Sequence, residues 1–298
     1  MASIRSRIIQ RIMRDTKDAL LGNLPIEVRR RRIDTTARRS IRVPRGVCLK
    51  TVSANGVPSD WLEPDDAIPG RAILYLHGGA YVICSPSTHR GLAGNIARAS
   101  QARLLLIDYR LAPENPFPAA LDDALIAFRW LLEKGYAPEN IAIGGDSAGG
   151  GLSLATALSL RDTNMKMPAA LFLLSPWTDL TFSGESIRTR ADRDPLLQVN
   201  DDGWLVKSYA NGLPLTYPYI SPLFADLHDL PPTFIQVGTE EILFDDSFRL
   251  EQKARLAGVN VTLETWPGMW HVFQGFAPYV PESHKAIEKI GEFIRVRL

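Results

Sequence analysis

The chain has 298 residues, 45% of them hydrophobic and 22% charged, with a formal net charge of +1. That composition suits one large folded core, excludes a mostly disordered chain, and leaves no overall field to select nucleic acid or an acidic partner. Two cysteines, Cys48 and Cys84, are too few for a disulfide framework and sit in no metal-ligand spacing, as expected of idle thiols in a reducing cytoplasm.

Residues 1–46 carry 13 Lys+Arg against 4 Asp+Glu, a net +9 that leaves the rest of the chain at −8. Ile4, Ile8, Ile9 and Ile12 recur at helical spacing, with Arg5, Arg7, Arg11 and Arg14 elsewhere on the circumference, so an amphipathic packed helix is expected. No apolar stretch follows these arginines, so no secretory signal is expected, and no run approaches the ~18 apolar residues of a membrane span. The run Arg29-Arg30-Arg31-Arg32 lacks the interleaved aromatics of a nucleic-acid platform and reads as a solvated face.

From residue 71 onward, short apolar runs alternate with helical patterns. Residues 71–77, 103–108, 140–145, 169–175, 232–238 and 261–266 read as buried parallel strands. Helices are expected near 88–100, 119–134, 148–161, 245–257 and 283–296. The alternation predicts a mostly parallel central sheet flanked by helices, with its core in 46–180 and 221–298. Two regions break the rhythm: the basic stretch 1–45, and 181–220, rich in aromatic and turn residues. Together they read as a helical cap over the strand ends.

Gly145-Asp146-Ser147-Ala148-Gly149 fits G-x-S-x-G, led in by an apolar strand and followed by a glycine-rich helix start. A serine on such a turn is the expected nucleophile. No P-loop Lys-Ser/Thr and no dinucleotide fingerprint accompany these glycines. His77-Gly78-Gly79-Ala80-Tyr81 ends the strand 71–77, and its small residues suit an oxyanion hole from Gly78, Gly79 and Ala80, completed by Ala148. His77 itself reads as structural.

In this fold the order is nucleophile, acid, base, so the base follows residue 147. His271, in the loop after strand 261–266, is the expected base. His228 precedes a strand, and His284 opens the terminal helix as a solvated residue. The acid is expected after strand 232–238: Glu241 is preferred, and Asp245 is the alternative, with Asp246 beside it at a helix start.

With these motifs the chain resembles the bacterial hormone-sensitive-lipase-like esterases, or family IV lipolytic enzymes. The resemblance rests on HGGAY at 77–81, DYRLAPENPFPAALDDA at 108–124, GDSAGG at 145–150, SPWTDL at 175–180 and GMWHVF at 268–273. It implies an α/β-hydrolase fold with a cap built from the N-terminus and an insertion. It further implies bracing of the active-site loops by Arg110 and Glu114, frequent homodimers, and a preference for short-to-medium acyl esters. Ala80 replaces the family's third glycine, and Glu241 in E-I-L stands where the family carries aspartate in D-P-L. The expected activity is ester hydrolysis without metal or cofactor. Acyl transfer from the same acyl-enzyme is the alternative, and a non-catalytic ligand-binding member is disfavoured because serine, acid and histidine all persist. Tyr81, Trp204 and Tyr209 are candidate substrate contacts; the two cap residues serve equally well as cap core.

Overall fold

The computed structural model describes residues 2–21, 24–198 and 203–298, with the side chains of 16–21 excepted. Two helices come first, α1 (Ile4–Leu21) and α2 (Ile26–Ser40), followed by a hairpin of β1 (Val47–Ala54) and β2 (Val57–Pro64). Asn55 and Gly56 turn the hairpin, both at positive φ, as an Asn-Gly turn requires. The sequence expectation omitted these two strands. β1 is the sheet edge and buries only its last residue, while β2, though largely buried between β1 and β4, is interrupted by Pro58, Ser59, Asp60 and Glu63, so neither shows the apolar runs of the central strands.

The remaining elements alternate as expected: β3 (Ala72–Leu76), α3 (Pro86–Ser100), β4 (Arg103–Ile107), α4 (Ala119–Glu133), β5 (Ile141–Asp146), α5 (Ala148–Asp162) and β6 (Ala170–Leu174). After a short α6 (Ser186–Thr189) and α7 (Trp204–Ala210) come β7 (Thr233–Gly238), α8 (Phe244–Leu256), β8 (Val261–Trp266) and α9 (Pro281–Arg297). Residues 199–202 of the expected cap insertion lie outside the described residues.

Eight strands form one sheet in the order β1-β2-β4-β3-β5-β6-β7-β8. Pairing is antiparallel for β1/β2 and β2/β4 and parallel for every other pair. Because side chains alternate along a strand, the central strands feed two cores. Leu74, Leu76, Ile143, Leu171 and Leu173 pack on the side of α4, α5 and α8. Ile73, Tyr75, Ala142, Phe172 and Leu174 pack on the side of α3 and α9. This is the helix–sheet–helix layering the pattern predicts. All parallel strands end on one edge, where the loops bearing the motifs converge.

Candidate active site

Ser147 links β5 directly to α5 with φ 54° and ψ −123°, a conformation that costs a non-glycine residue about 1–3 kcal/mol. Its neighbours show why the turn needs glycines. A Cβ on Gly145 would lie 2.3 Å from the Leu76 carbonyl oxygen, and one on Gly149 only 2.0 Å from the same oxygen. The turn is pinned on both sides: Ser147 N–H donates to Leu174 O at 2.9 Å, and Trp177 N–H donates to Ser147 O at 2.9 Å.

The loop after β3 carries the expected oxyanion residues. Ala80 and Tyr81 adopt φ 52° and 64°, and Gly79 φ 121°. A side chain at Gly79 would strike Ile83 O, and one at Gly78 would strike the Asp146 carboxylate. Gly79 O caps the turn by accepting from Val82 and Ile83 N–H. Among the described residues, the N–H groups of Gly79, Ala80 and Ala148 have no protein acceptor. Ala148 also opens α5, where unpaired N–H groups and the helix dipole favour negative charge.

His77 is fully buried and stacks on Tyr109 at 4.3 Å, with the His89 ring 5.4 Å away. Burial, with the neighbouring His89, pushes its pKa down to about 3, so it stays neutral and orders the loop. Beneath it, His89 Nε2 meets Asp146 Oδ2 at 3.2 Å while Tyr75 donates to Asp146 Oδ1 at 2.8 Å. Burial alone would raise Asp146, but His89 and Tyr75 outweigh it and hold the carboxyl below its ordinary value.

His271 and Glu241 meet, as the strand ends require. His271 Nδ1 lies 2.8 Å from Glu241 Oε2, and both side chains are buried. The other carboxylate oxygen, Oε1, accepts from Gly238 N–H at 2.7 Å and from the Ser175 hydroxyl at 2.8 Å. Gly238 is bare because any Cβ would sit 2.3 Å from Met269 O, so β7 and the histidine loop touch through backbone. For His271, burial alone would lower the pKa. The hydrogen bond and charge of Glu241, then Asp194 and Asp146, reverse this and raise it above 6.5. Asp245 is elsewhere: its carboxylate accepts from Ser186 N–H, away from the imidazole. Asp246 accepts from Thr178 and Asp179 N–H, and burial raises its pKa to about 7.

Ser147 stands on the same edge, half-buried, and its hydroxyl makes no hydrogen bond to His271 in this structure. Ser175 bridges the two parts. It lies one residue beyond Leu174, which binds the Ser147 N–H, and its hydroxyl binds Glu241 and accepts from Val272 N–H at 3.1 Å. Ser175 was not a sequence candidate, although it opens the SPWTDL motif.

Tyr81 and Tyr209 are both buried and stack at 3.7 Å with their planes 5° apart, fastening α7 onto the loop after β3. Trp204 begins α7 and is 39% exposed. Arg110 grips Asp123, and Glu114 pairs with Arg30 of α2 at 2.9 Å. Arg30 also donates to Val82 O and Ala112 O, both at 2.6 Å, so one side chain of the arginine run ties α2 to the loop after β3. The expectation of a solvated face is corrected at this residue. A cavity of about 680 Å³ opens between α2 and α3, lined by Arg32, Thr36, Ile41, Cys84 and His89 among others; Ser147, Glu241 and His271 do not line it. Among the described residues there is no cluster of potential metal ligands, and no helix is long and apolar enough to cross a membrane.

The chain belongs to the α/β-hydrolase fold family, whose profile matches residues 73–275. It is 43% identical to an acetyl-hydrolase of Streptomyces hygroscopicus over 256 residues, covering 86% of this chain and 84% of that relative. An esterase of Acinetobacter venetianus is 41% identical over 83% of this chain and 82% of its own length. The crystal structure of an esterase from the bacterial hormone-sensitive lipase family matches with a TM-score of 0.94 at 42% identity, covering 100% of this chain and 99% of the other. The protein is an esterase of this hormone-sensitive-lipase-like kind, and its reaction is hydrolysis of carboxylic esters.

Proposed function

We propose that the protein cleaves short-to-medium acyl esters through an acyl-enzyme, with Ser147 as nucleophile, His271 as general base and Glu241 as the acid that orients it. The observation that carries this reading is the buried 2.8 Å contact between His271 Nδ1 and Glu241 Oε2. A carboxylate there holds the imidazole proton on Nδ1 and leaves Nε2 to accept the Ser147 proton. The Ser147–His271 bond closes when substrate binds, since such contacts are often loose in unliganded enzymes.

The alkoxide attacks the ester carbonyl, and the tetrahedral oxygen takes hydrogen bonds from the Gly79, Ala80 and Ala148 N–H groups. His271 then protonates the leaving alcohol, and water repeats the cycle on the acyl-enzyme. The raised pKa of His271 fits a site built to stabilise imidazolium, because the carboxylate beside it gains from that charge. The helices at 1–45 and the segment 181–220 act as a cap over this edge. The acetyl-hydrolase relative favours a small acyl group. A rate series over esters of increasing acyl length tests that point.

Replacing Ser147 by alanine tests the whole reading. Turnover of a p-nitrophenyl ester should fall by about 10⁶-fold, as for other serine triads. A Ser147→Ala protein that keeps most of its esterase activity ends the assignment.

A further inference from the structure

The loop that presents Glu241 is held from outside by the segment 186–197. Ser186 N–H donates to Asp245 Oδ2 at 2.9 Å, and Asp245 N–H returns a bond to Ser186 Oγ at 3.0 Å. Arg190 donates to Thr239 O and lies over the Phe244 ring at 3.7 Å. Arg193 pairs with Glu240, with Nε to Oε2 at 2.7 Å. At the centre is Asp194, a buried carboxylate whose Oδ2 accepts from Ile242 N–H at 2.9 Å. Its other oxygen accepts from Leu196 and Leu197 N–H, both at 2.8 Å. Ile242 N–H belongs to the peptide bond that directly follows Glu241, so fixing it fixes the direction in which Glu241 leaves the backbone.

We infer that Asp194 is a positioning residue for the ester-hydrolysing reaction, holding the Glu241 peptide so that the carboxylate faces His271. This inference rests on the reading of Glu241 and His271 as acid and base. Two features distinguish it from simple packing. The first is place: Asp194 is buried, bonds Ile242 N–H next to Glu241, and is far from it in sequence. The second is charge: around His271 the titratable groups are Glu241, Asp194 and Asp146, all acidic, and all three support the raised imidazole pKa. Asp194 N–H donates to Arg190 O, and Arg190 in turn feels Arg193, Asp245, Glu240 and Glu241. The triplet Asp194-Pro195-Leu196 also repeats the D-P-L pattern the family uses for its acid, yet here it supports the acid loop from behind. The imidazole Nδ1 of His271 donates instead to Glu241.

The test compares Asp194→Asn, Asp194→Glu and Glu241→Gln with the parent enzyme, measuring kcat, KM and the pH dependence of kcat/KM together with the melting temperature. Asp194→Asn should lower kcat by roughly ten- to a hundredfold with little change in KM, the scale of a misplaced catalytic group. With one negative charge gone, imidazolium is less favoured, so the acid limb of its kcat/KM profile should move to lower pH. Asp194→Glu, which keeps the charge, should restore the acid limb. If Asp194→Asn does not fold, Asp194→Ser replaces it, an uncharged side chain whose hydroxyl stops one bond short of the oxygen that accepts from Ile242 N–H. An uncharged variant with parental kcat overturns the inference, and so does one whose kcat falls while its acid limb stays in place. If Glu241→Gln keeps full turnover, the reading of Glu241 fails first, and the role of Asp194 falls with it. If Glu241→Gln is inactive and the Asp194 variants are normal, only Asp194 is misassigned.

Discussion

Replacing Glu241 by glutamine is the sharpest probe of the site, because the structure dictates which way the amide must turn. Oε1 receives two donors, Gly238 N–H and the Ser175 hydroxyl, whereas Oε2 faces His271 Nδ1. An amide that keeps its oxygen on the two donors presents its NH₂ to Nδ1. The imidazole must then carry its proton on Nε2 and cannot accept one from Ser147. The reverse orientation restores the productive tautomer but turns the NH₂ toward Gly238 N–H, whereas the Ser175 hydroxyl can rotate and accept from it. The one fixed donor left without an acceptor costs about 1–3 kcal/mol. At 1.36 kcal/mol per decade this is a loss in kcat of about 5-fold to 150-fold. The assay is the initial rate on a p-nitrophenyl ester, with thermal unfolding as the control for fold. A folded Glu241→Gln enzyme that loses less than about threefold in kcat would refute the argument, since the amide would then have found an orientation the bonding disfavours. The companion Asp245→Asn should stay near parental activity, because Asp245 serves Ser186.

The glycines and the α2 clamp give two further tests. Gly149→Ala drives a Cβ to 2.0 Å from Leu76 O in the centre of the sheet, and overpacking of that kind should cost about 1–3 kcal/mol or more. Gly275, with nothing within 4 Å of its Cβ position, should accept alanine with a change within about 0.5 kcal/mol; thermal denaturation of the pair measures the difference. Arg30→Met strips hydrogen bonds from Val82 O, Ala112 O and Glu114 and should destabilise by about 2–3 kcal/mol. Glu114→Gln removes only a half-exposed ion pair and should cost no more than about 1 kcal/mol. Equal losses for the two variants would contradict the clamp.

Much of the fold was legible because the parallel strands are buried on both faces. Burial on both faces makes them continuous apolar runs, and a βα alternation fixes the layering and the edge where loops gather. The hairpin β1–β2 shows no such runs: β1 is a solvent-facing edge, β2 breaks its apolar residues with Pro58, Ser59, Asp60 and Glu63, and the Asn55-Gly56 turn was the available sign. The Ser147 turn and the glycine-rich loop after β3 were legible because close backbone approach imposes local shapes. The Ser147 turn and the loop at 77–81 must be glycine-rich where Leu76 O, Ile83 O and Asp146 crowd them.

The supporting residues were not legible. Ser175, Asp194 and Arg30 act across separations of 66, 48 and 52 residues in sequence. Nothing in the local pattern around any of them shows its partner. A serine after a strand, an aspartate before a proline and an arginine within a run of four all have ordinary local uses. The sequence alone determined the chain's alternation, the tight turn at Ser147 and the order of Ser147, Glu241 and His271 along the strand ends, because these depend on neighbours along the backbone. Which carboxylate meets the imidazole, and what holds that carboxylate still, was decided by the tertiary structure. Those contacts exist only once strand ends and covering segments have packed together and excluded water from the bonds between them.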